Sequence, residues 1–397
     1  MIFQELVDRG LVKQTTNAEK IRQLLDNQKI AFYIGFDPTA DSLHVGHLLQ
    51  LVTARRLVDA GHTAVMLIGG STALIGDPTG KTEMRKMLSR SDINVNSEAI
   101  EKQIKQIVGP SVHMVNNLLW HDGANFLQVL RELGPFFSVN NMLRAECFKS
   151  RMENGLSFLE FNYMILQAED FRILNLEFGE NCVLQIGGDD QWSNILAGIE
   201  LIHKKEKREA FGLTLPLLVN SDGTKMGKTE KGAVWLDPNK TTPFDFFQFW
   251  RNLPDDQARK CFDLFADCSP NGLNINELKK VLAFHLTTLV HSQDAADRAL
   301  EQAEALFEKR DTSTLETTPI ADGTHILDLV IKCGFAKSRT EARNLITNKG
   351  ITINEEVQTN PTINISKSIF GNELIVKKGK KHFCRLLIED TCQDHHS

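Results

Sequence analysis

Tyrosine is nearly absent from this chain: 2 Tyr stand against 23 Phe in 397 residues. Both survivors, Tyr33 and Tyr163, lie in runs that stand out for other reasons. The 7 cysteines are scattered, with no C-x-x-C pair. That argues against a disulfide framework and against a zinc site. No protein-bound metal is expected, and a reducing cytoplasm is the simplest home. No apolar run reaches the ~18 residues of a membrane span. The opening Met1-Ile-Phe-Gln-Glu-Leu-Val-Asp-Arg9 lacks the basic-then-apolar order of a signal peptide. No internal repeat is visible. The remaining composition, 42% hydrophobic, is ordinary for a soluble globular chain. Its length allows two or three domains with a full core.

Strand-like apolar runs alternate with helical ones up to about Asn220, the pattern of a doubly wound, Rossmann-like α/β domain with a parallel sheet. Residues 110–180 are mainly helical and would include the insertion between the two halves of the sheet. Phe126 to Val139 and Phe158 are apolar in excess. From Thr242 to Arg310 the pattern is helical throughout, so 221–310 reads as a loop and a helical domain. Residues 311–324 are polar and unpatterned at their start, hence a linker. A small α+β unit over 325–389 and a tail over 390–397 complete the chain.

Charge is unevenly shared. The chain carries −6, yet residues 325–389 hold 8 Lys and 3 Arg against 6 acidic residues, a net +5. A basic module on an acidic body points to nucleic acid. Ser338 and Glu341 have capping-box spacing, Arg339 and Arg343 lie four apart on one helix face, and Gly350 to Asn354 reads as turn and strand. Lys377-Lys-Gly-Lys-Lys381 reads as a solvated basic face.

Four blocks carry chemistry. The first runs Tyr33-Ile-Gly-Phe-Asp-Pro-Thr-Ala-Asp-Ser-Leu-His-Val-Gly-His47. Ile30 to Phe36 has the pattern of a strand covered on both faces. Asp41 and Ser42 are good helix N-cap types, and a helix then runs to Gly61. His44 and His47 fall on one face near that helix start, where free N–H groups suit a phosphate. Gly46 lets a flat ring or a phosphate approach the backbone. The second block, Ser221 to Thr229, is polar and flexible and carries Lys225 and Lys228 around Met226 and Gly227. The third, Gln185-Ile-Gly-Gly-Asp-Asp-Gln-Trp-Ser-Asn194, ends a strand-like run, where open parallel sheets bind ligands. The fourth, Phe161 to Asp170, reads as helix, with Tyr163, Gln167 and Asp170 sharing a face.

These blocks resemble the two signatures and the pocket of class I aminoacyl-tRNA synthetases, specifically the bacterial-type tyrosyl-tRNA synthetases, over nearly the whole chain. The resemblance implies activation of L-tyrosine with ATP and Mg²⁺, then transfer to the 3′-terminal ribose of tRNA(Tyr). It implies that His44, His47, Lys225, Lys228, Thr39, Lys81 and Arg85 act on the phosphates. Asp37, Gly46, Gly187, Gly188, Asp190, Met226, Gly227 and Thr229 would hold ATP. Tyr33 and Asp170 would bind the substrate phenol. Tyr163, Gln167 and Asp77 would bind its ammonium group, with Asn117, Gln185 and Gln191 also at the pocket and Trp120 near it. The C-terminal unit resembles a small RNA-binding domain, the α-L motif, with Lys337, Arg339, Arg343 and Lys349 toward phosphate. Relatives use the apolar 126–139 region to form a homodimer.

The chain departs from the family in places. Gly227 and Thr229 replace the serines of K-M-S-K-S. Asp189 and Ser193 replace a usual serine and glycine, and Glu169, Phe244 and Phe247 stand where tyrosine is common. Both remaining tyrosines fall on pocket positions. Either selection retained phenols only where needed, or composition drifted.

Three other readings compete. Gly69 to Thr82 resembles a P-loop, but Gly76 to Gly80 encloses three residues, not four, and Pro78 removes an N–H. It reads better as a glycine turn at a strand end. A non-catalytic RNA-binding protein on a synthetase body would be expected to have lost His47 or Lys228. The sister tryptophanyl enzymes would give Tyr33 and Asp170 no phenol to bind.

Overall fold

Residues 31–36 carry no charged side chain, and in the computed structural model they form the buried strand β2 (Ala31–Phe36). The structure describes every residue except 80–86, 179–180, 221–222, 230–231, 308–316, 380–381 and 390–397. The side chains of residues 150, 228, 229, 232, 306 and 307 are also outside the description. By contact density the chain divides into Met1–Asp297 and Arg298–Ser397.

The first unit is built on six strands: β1 (Gln14–Thr15), β2, β3 (Thr63–Ile68), β4 (His113–Asn116), β5 (Cys182–Gly188) and β6 (Phe211–Leu215). Their order is β1-β6-β5-β2-β3-β4. All neighbours are parallel except β1 with β6. The chain winds outward from β2 through β3 to β4, then returns beside β2 as β5 and winds the other way. That reversal opens a crevice beyond the strand ends Phe36 and Gly188, the position where such sheets bind ligands. The expected doubly wound α/β fold is therefore present, with a short antiparallel strand added at one edge. Helices fill the β4–β5 insertion, the longest being Phe158–Glu177. After the sheet, helices Pro243–Arg251, Asp255–Phe265, Ile275–Val290 and Gln293–Phe307 follow as the pattern predicted.

Three local expectations are corrected. The helix of the first block is Val45–Asp59 and its N-cap is His44, not Asp41 or Ser42. The reason is tertiary. Val45 N–H donates to Val234 O at 3.0 Å, and Leu236 N–H donates to Leu43 O at 2.9 Å. Leu43 and His44 are thus held extended against 234–236, and the helix begins at Val45. The Gly69 turn is a short helix, Gly70–Ile75. Part of the expected linker is strand: β9 (Thr317–Ala321) and β10 (Thr324–His325). β9 contributes one buried residue, Ile320, and sits at a sheet edge, where Pro319 is tolerated.

The second unit has its own core, with Leu329, Val330, Ile346, Ile351, Val376 and Leu386 buried together. Beyond β9 and β10 its strands are β11 (Ile351–Ile353), β12 (Glu356–Val357), β13 (Asn364–Ile365), β14 (Glu373–Lys378) and β15 (His382–Glu389). Five form a sheet in the order β12-β11-β14-β15-β9, in which β15 and β9 run parallel. Helix Arg339–Thr347 starts at Ser338, whose hydroxyl accepts from Glu341 N–H at 3.2 Å. The expected box is incomplete: Glu341 caps Lys337 N–H at 2.7 Å, one residue earlier.

Candidate active site

The two histidines cap their own helix. His44 Nδ1 accepts from Gly46 N–H at 3.0 Å, and His47 Nδ1 accepts from His44 N–H at 3.3 Å. Their ring centroids are 4.1 Å apart. With Nδ1 accepting, the neutral proton of His47 sits on Nε2. Burial pushes the pKa of His47 down to about 3, and the charges of His44 and Lys225 push the same way. His47 is therefore a neutral donor at pH 7. Gly46 is required for a reason the sequence did not show. A Cβ there would meet His44 Cε1 at 2.7 Å.

The second signature docks on the first. Trp235 pairs with His44 in a β-bridge, and Met226 N–H donates to Leu218 O at 2.8 Å. Met226 is buried. Gly227 has φ +83°, and a Cβ on it would lie 2.1 Å from Val45 Cγ2. A serine at that place would not fit this packing, which accounts for the glycine. Lys225 Nζ pairs with Asp190 Oδ2 at 2.8 Å. Lys228 and Thr229 form strand β7, paired with β8 (Gly232–Ala233); their side chains lie outside the described residues, as do Lys81 and Arg85. Thr39 is exposed just beyond β2, its N–H on Asp37 O at 2.8 Å.

At the mouth of the crevice, Gly187 and Gly188 leave little room. Added Cβ atoms would meet Gln191 Cβ at 3.2 Å and Asp190 Oδ1 at 2.8 Å. Asp37 accepts from Tyr163 Oη at 2.8 Å and from Thr72 Oγ1 at 2.7 Å. A Cβ on Gly69 would strike Asp37 Oδ1 at 2.0 Å. Gly69 at the start of the P-loop-like run thus faces a carboxylate. Asp77 accepts from Gln191 Nε2 at 2.8 Å and from Thr79 N–H at 2.9 Å.

The deepest part of the site surrounds Asp170, which is 1% exposed. Its Oδ1 accepts from Trp120 Nε1 at 2.8 Å and His121 Nε2 at 2.7 Å. Its Oδ2 accepts from Asn117 Nδ2 at 3.1 Å. Asn117, expected at the pocket, is held at its other end, where its Oδ1 accepts from Ser71 N–H at 2.7 Å. It acts as a brace for Asp170. Tyr33 lies across the pocket, and burial, with Asp170 and Asp37 adding, holds its pKa well above its ordinary 10. Its hydroxyl stays neutral and makes no hydrogen bond among the described residues. Gly35 keeps space for it, since a Cβ there would lie 3.0 Å from Tyr33 Oη. Two amide oxygens, Gln167 Oε1 and Gln185 Oε1, are buried without a partner. Such orphans are uncommon and mark places where a ligand completes the hydrogen bonding.

The departures from the family pattern find local partners. Asp189 accepts from Gln14 Nε2 at 2.6 Å and Thr214 Oγ1 at 2.8 Å. Glu169 pairs with Arg172 at 2.6 Å, and Arg172 also reaches Glu206 at 2.7 Å, so Glu169 belongs to a network separate from that of Asp170. Ser193 hydrogen-bonds the buried thiol of Cys147. His121, Gly35 and Val45 were not singled out from sequence. Only the i, i+3, i+4 spacing of Asn117, Trp120 and His121 could have flagged the first.

In the second unit Arg339 pairs with Asp328, Nε to Oδ1 at 2.7 Å. Lys337, Arg343 and Lys349 are exposed, and Lys349 has φ +58° in the turn before β11.

Histidines at a helix start, a lysine loop docked on them and a crevice at a sheet switch point define the class I synthetase fold. The model for class I tRNA synthetases of the W and Y type matches residues 25–308, and that for the tyrosine–tRNA ligase SYY-like C-terminal domain matches 303–386. A tyrosine–tRNA ligase of Clostridium botulinum is 47% identical over 406 residues, covering 98% of this chain and 99% of the relative. One from Clostridium kluyveri is 46% identical with the same coverage. The solved structure of a C-terminally truncated mitochondrial tyrosyl-tRNA synthetase from Aspergillus nidulans superposes with TM-score 0.69. It is 28% identical and covers 77% of this chain and 94% of that one. The chain belongs to the tyrosine–tRNA ligase family of class I synthetases.

Proposed function

We propose that the chain activates L-tyrosine with ATP and transfers it to tRNA(Tyr). The observation that carries this reading is the state of Asp170. A carboxylate offers about four acceptor positions. Trp120, His121 and Asn117 fill three. One position on Oδ2 remains, and it faces a single donor such as a phenol. Tyr33 Oη supplies a donor to the same phenol oxygen. A pocket of this kind rejects phenylalanine because its buried polar groups would stay unpaired; selection by such a pocket is a known example in this family. The unpartnered oxygens of Gln167 and Gln185 suit the ammonium group, with Asp77 and Tyr163 near it.

ATP enters as its Mg²⁺ complex, and the ion belongs to the substrate. A tyrosine carboxylate oxygen attacks the α-phosphorus, the bond to the β-phosphate oxygen breaks, and pyrophosphate leaves. His44 and His47 donate hydrogen bonds to the reacting phosphate. Lys225, Lys228, Lys81 and Arg85 neutralise the leaving group, and Thr39 lies beside it. Asp190, Gly187, Gly188, Asp37, Gly46, Met226, Gly227 and Thr229 shape the nucleotide site. A ribose hydroxyl of the tRNA then attacks the activated carbonyl and AMP departs. No side chain becomes a covalent nucleophile, so catalysis is positioning and charge stabilisation.

The basic second unit anchors tRNA through Lys337, Arg343 and Lys349, with Arg339 exchanging Asp328 for phosphate. Phe126, Leu127, Leu130 and Val139 are exposed on the insertion, and Phe158 is 68% exposed. Such an apolar face fits a homodimer. No helix is long and apolar enough to cross a membrane among the described residues, and the setting proposed is the cytoplasm. The test is transfer itself. The chain with tyrosine, Mg²⁺–ATP and tRNA(Tyr) should yield tyrosine esterified to the tRNA, and omission of ATP should abolish it. Ester formation with another amino acid, or none, would refute the reading.

A further inference from the structure

The three donors on Asp170 come from one short turn of helix, Leu118–His121, and its cap residue Asn117. Asn117, Trp120 and His121 stand at i, i+3 and i+4, so their side chains share a face. That face meets a carboxylate 49 or more residues away in sequence. Among the three contacts the His121 bond is the shortest, at 2.7 Å, and its side chain is 9% exposed. A carboxylate in this setting only accepts, so His121 carries its proton on Nε2. Hydrogen bonds to a charged acceptor are about twice as strong as neutral ones.

We infer that His121 is a specificity-determining positioning residue, which fixes the Asp170 carboxylate so that its one open position meets the substrate hydroxyl. This deepens the tyrosine reading and rests on it. Two donors on Oδ1 and one on Oδ2 set the rotation of the carboxylate about its Cβ–Cγ bond. With those positions filled, the remaining acceptor position on Oδ2 is the one left for the phenol. Removal of the His121 donor leaves Oδ1 short of a partner in a buried site. Asp170 then has reason to turn toward Tyr33 Oη, the nearby unengaged hydroxyl. That turn would close the open position and weaken tyrosine more than phenylalanine, because phenylalanine never used it.

The test compares two amides. The amide nitrogen of glutamine reaches the place of Nε2, while that of asparagine reaches only the place of Nδ1. In ATP–pyrophosphate exchange, His121→Asn should raise the KM for tyrosine about 10-fold, within the range for one charge-assisted hydrogen bond. It should shrink the kcat/KM ratio of tyrosine to phenylalanine by a similar factor. The KM for ATP and kcat at saturating tyrosine should stay within about threefold. His121→Gln should recover most of the loss in both tyrosine KM and selectivity. Unchanged selectivity in His121→Asn, equal damage in both variants, or a loss shared by ATP KM and kcat would overturn the inference. Should His121→Asn fail to fold, nitrogen NMR of the wild-type ring decides: a neutral ring protonated on Nδ1 instead of Nε2 would overturn it. The wild-type control keeps the two readings apart. No tyrosine-dependent exchange by the unmodified chain would sink the substrate assignment, whereas the variant pattern speaks only to His121.

Discussion

Gly227→Ala should uncouple the lysine loop from the histidine helix. Two costs follow from the structure. An alanine at φ +83° carries roughly 1–2 kcal/mol of backbone strain. Its Cβ would also fall 2.1 Å from Val45 Cγ2, and overpacking of a buried contact typically costs about 1–3 kcal/mol. The sum, about 2–5 kcal/mol, acts on the docked loop and leaves the Tyr33–Asp170 pocket alone. Each ~1.4 kcal/mol is a factor of ten in population. The rate of adenylate formation should therefore fall by about 30-fold or more. Tyrosine affinity, measured by equilibrium dialysis without ATP, should stay within about twofold. Val45→Ala introduced into Gly227→Ala removes the clashing methyl but keeps the positive φ, so it should recover about tenfold of the loss. A full rate in Gly227→Ala, or a double variant no faster than the single one, would refute this reasoning.

Tyr33→Phe should narrow the preference for tyrosine over phenylalanine by roughly 1–2 kcal/mol, one neutral hydrogen bond, read by competitive exchange. Lys228→Ala should cut adenylate formation strongly while equilibrium tyrosine binding persists; equal losses would make the loop structural. Burial lowers the pKa of His291 from 6.5 to about 4, as it lowers that of His47 to about 3. Depressed values mean the unfolded chain binds more protons, so stability is retained above pH 6.5 and lost as pH falls toward 4. The slope is at most about 1.4 kcal/mol per pH unit for each group; His291→Phe should flatten it by one proton in denaturant titrations, and an unchanged slope would contradict the burial argument. Removal of residues 308–397 should preserve exchange, lower tRNA charging steeply and weaken the salt dependence of remaining tRNA binding. Cutting at 325 would instead strand β9, whose partner is β15; full charging by the 308–397 deletion would refute the anchor role.

The parallel core was legible because strands buried on both faces read as apolar runs, and β2 and β5 did so. The pairing of the signatures was legible only through resemblance, since no local pattern brings Val45 to Gly227. Helix propensity chose Asp41 or Ser42 as cap, but backbone pairing with 234–236 overrode it. β9 was invisible because one buried residue, Ile320, makes no pattern and its partner lies far along the chain. His121 was missed because a histidine closing a short helix is unremarkable until its carboxylate is found. Glu169 behaved as expected, turned to Arg172 and not to the pocket, because one residue along a helix is about 100° of rotation.

The central claim is that the pocket around Asp170 and Tyr33 selects a phenol. Amino-acid-dependent ATP–pyrophosphate exchange, run with each of the twenty amino acids on the unmodified chain, tests it most directly. Exchange with tyrosine alone, and with phenylalanine weaker by several orders of magnitude, is the predicted result. Comparable exchange with tryptophan or phenylalanine, or none with tyrosine, would contradict it.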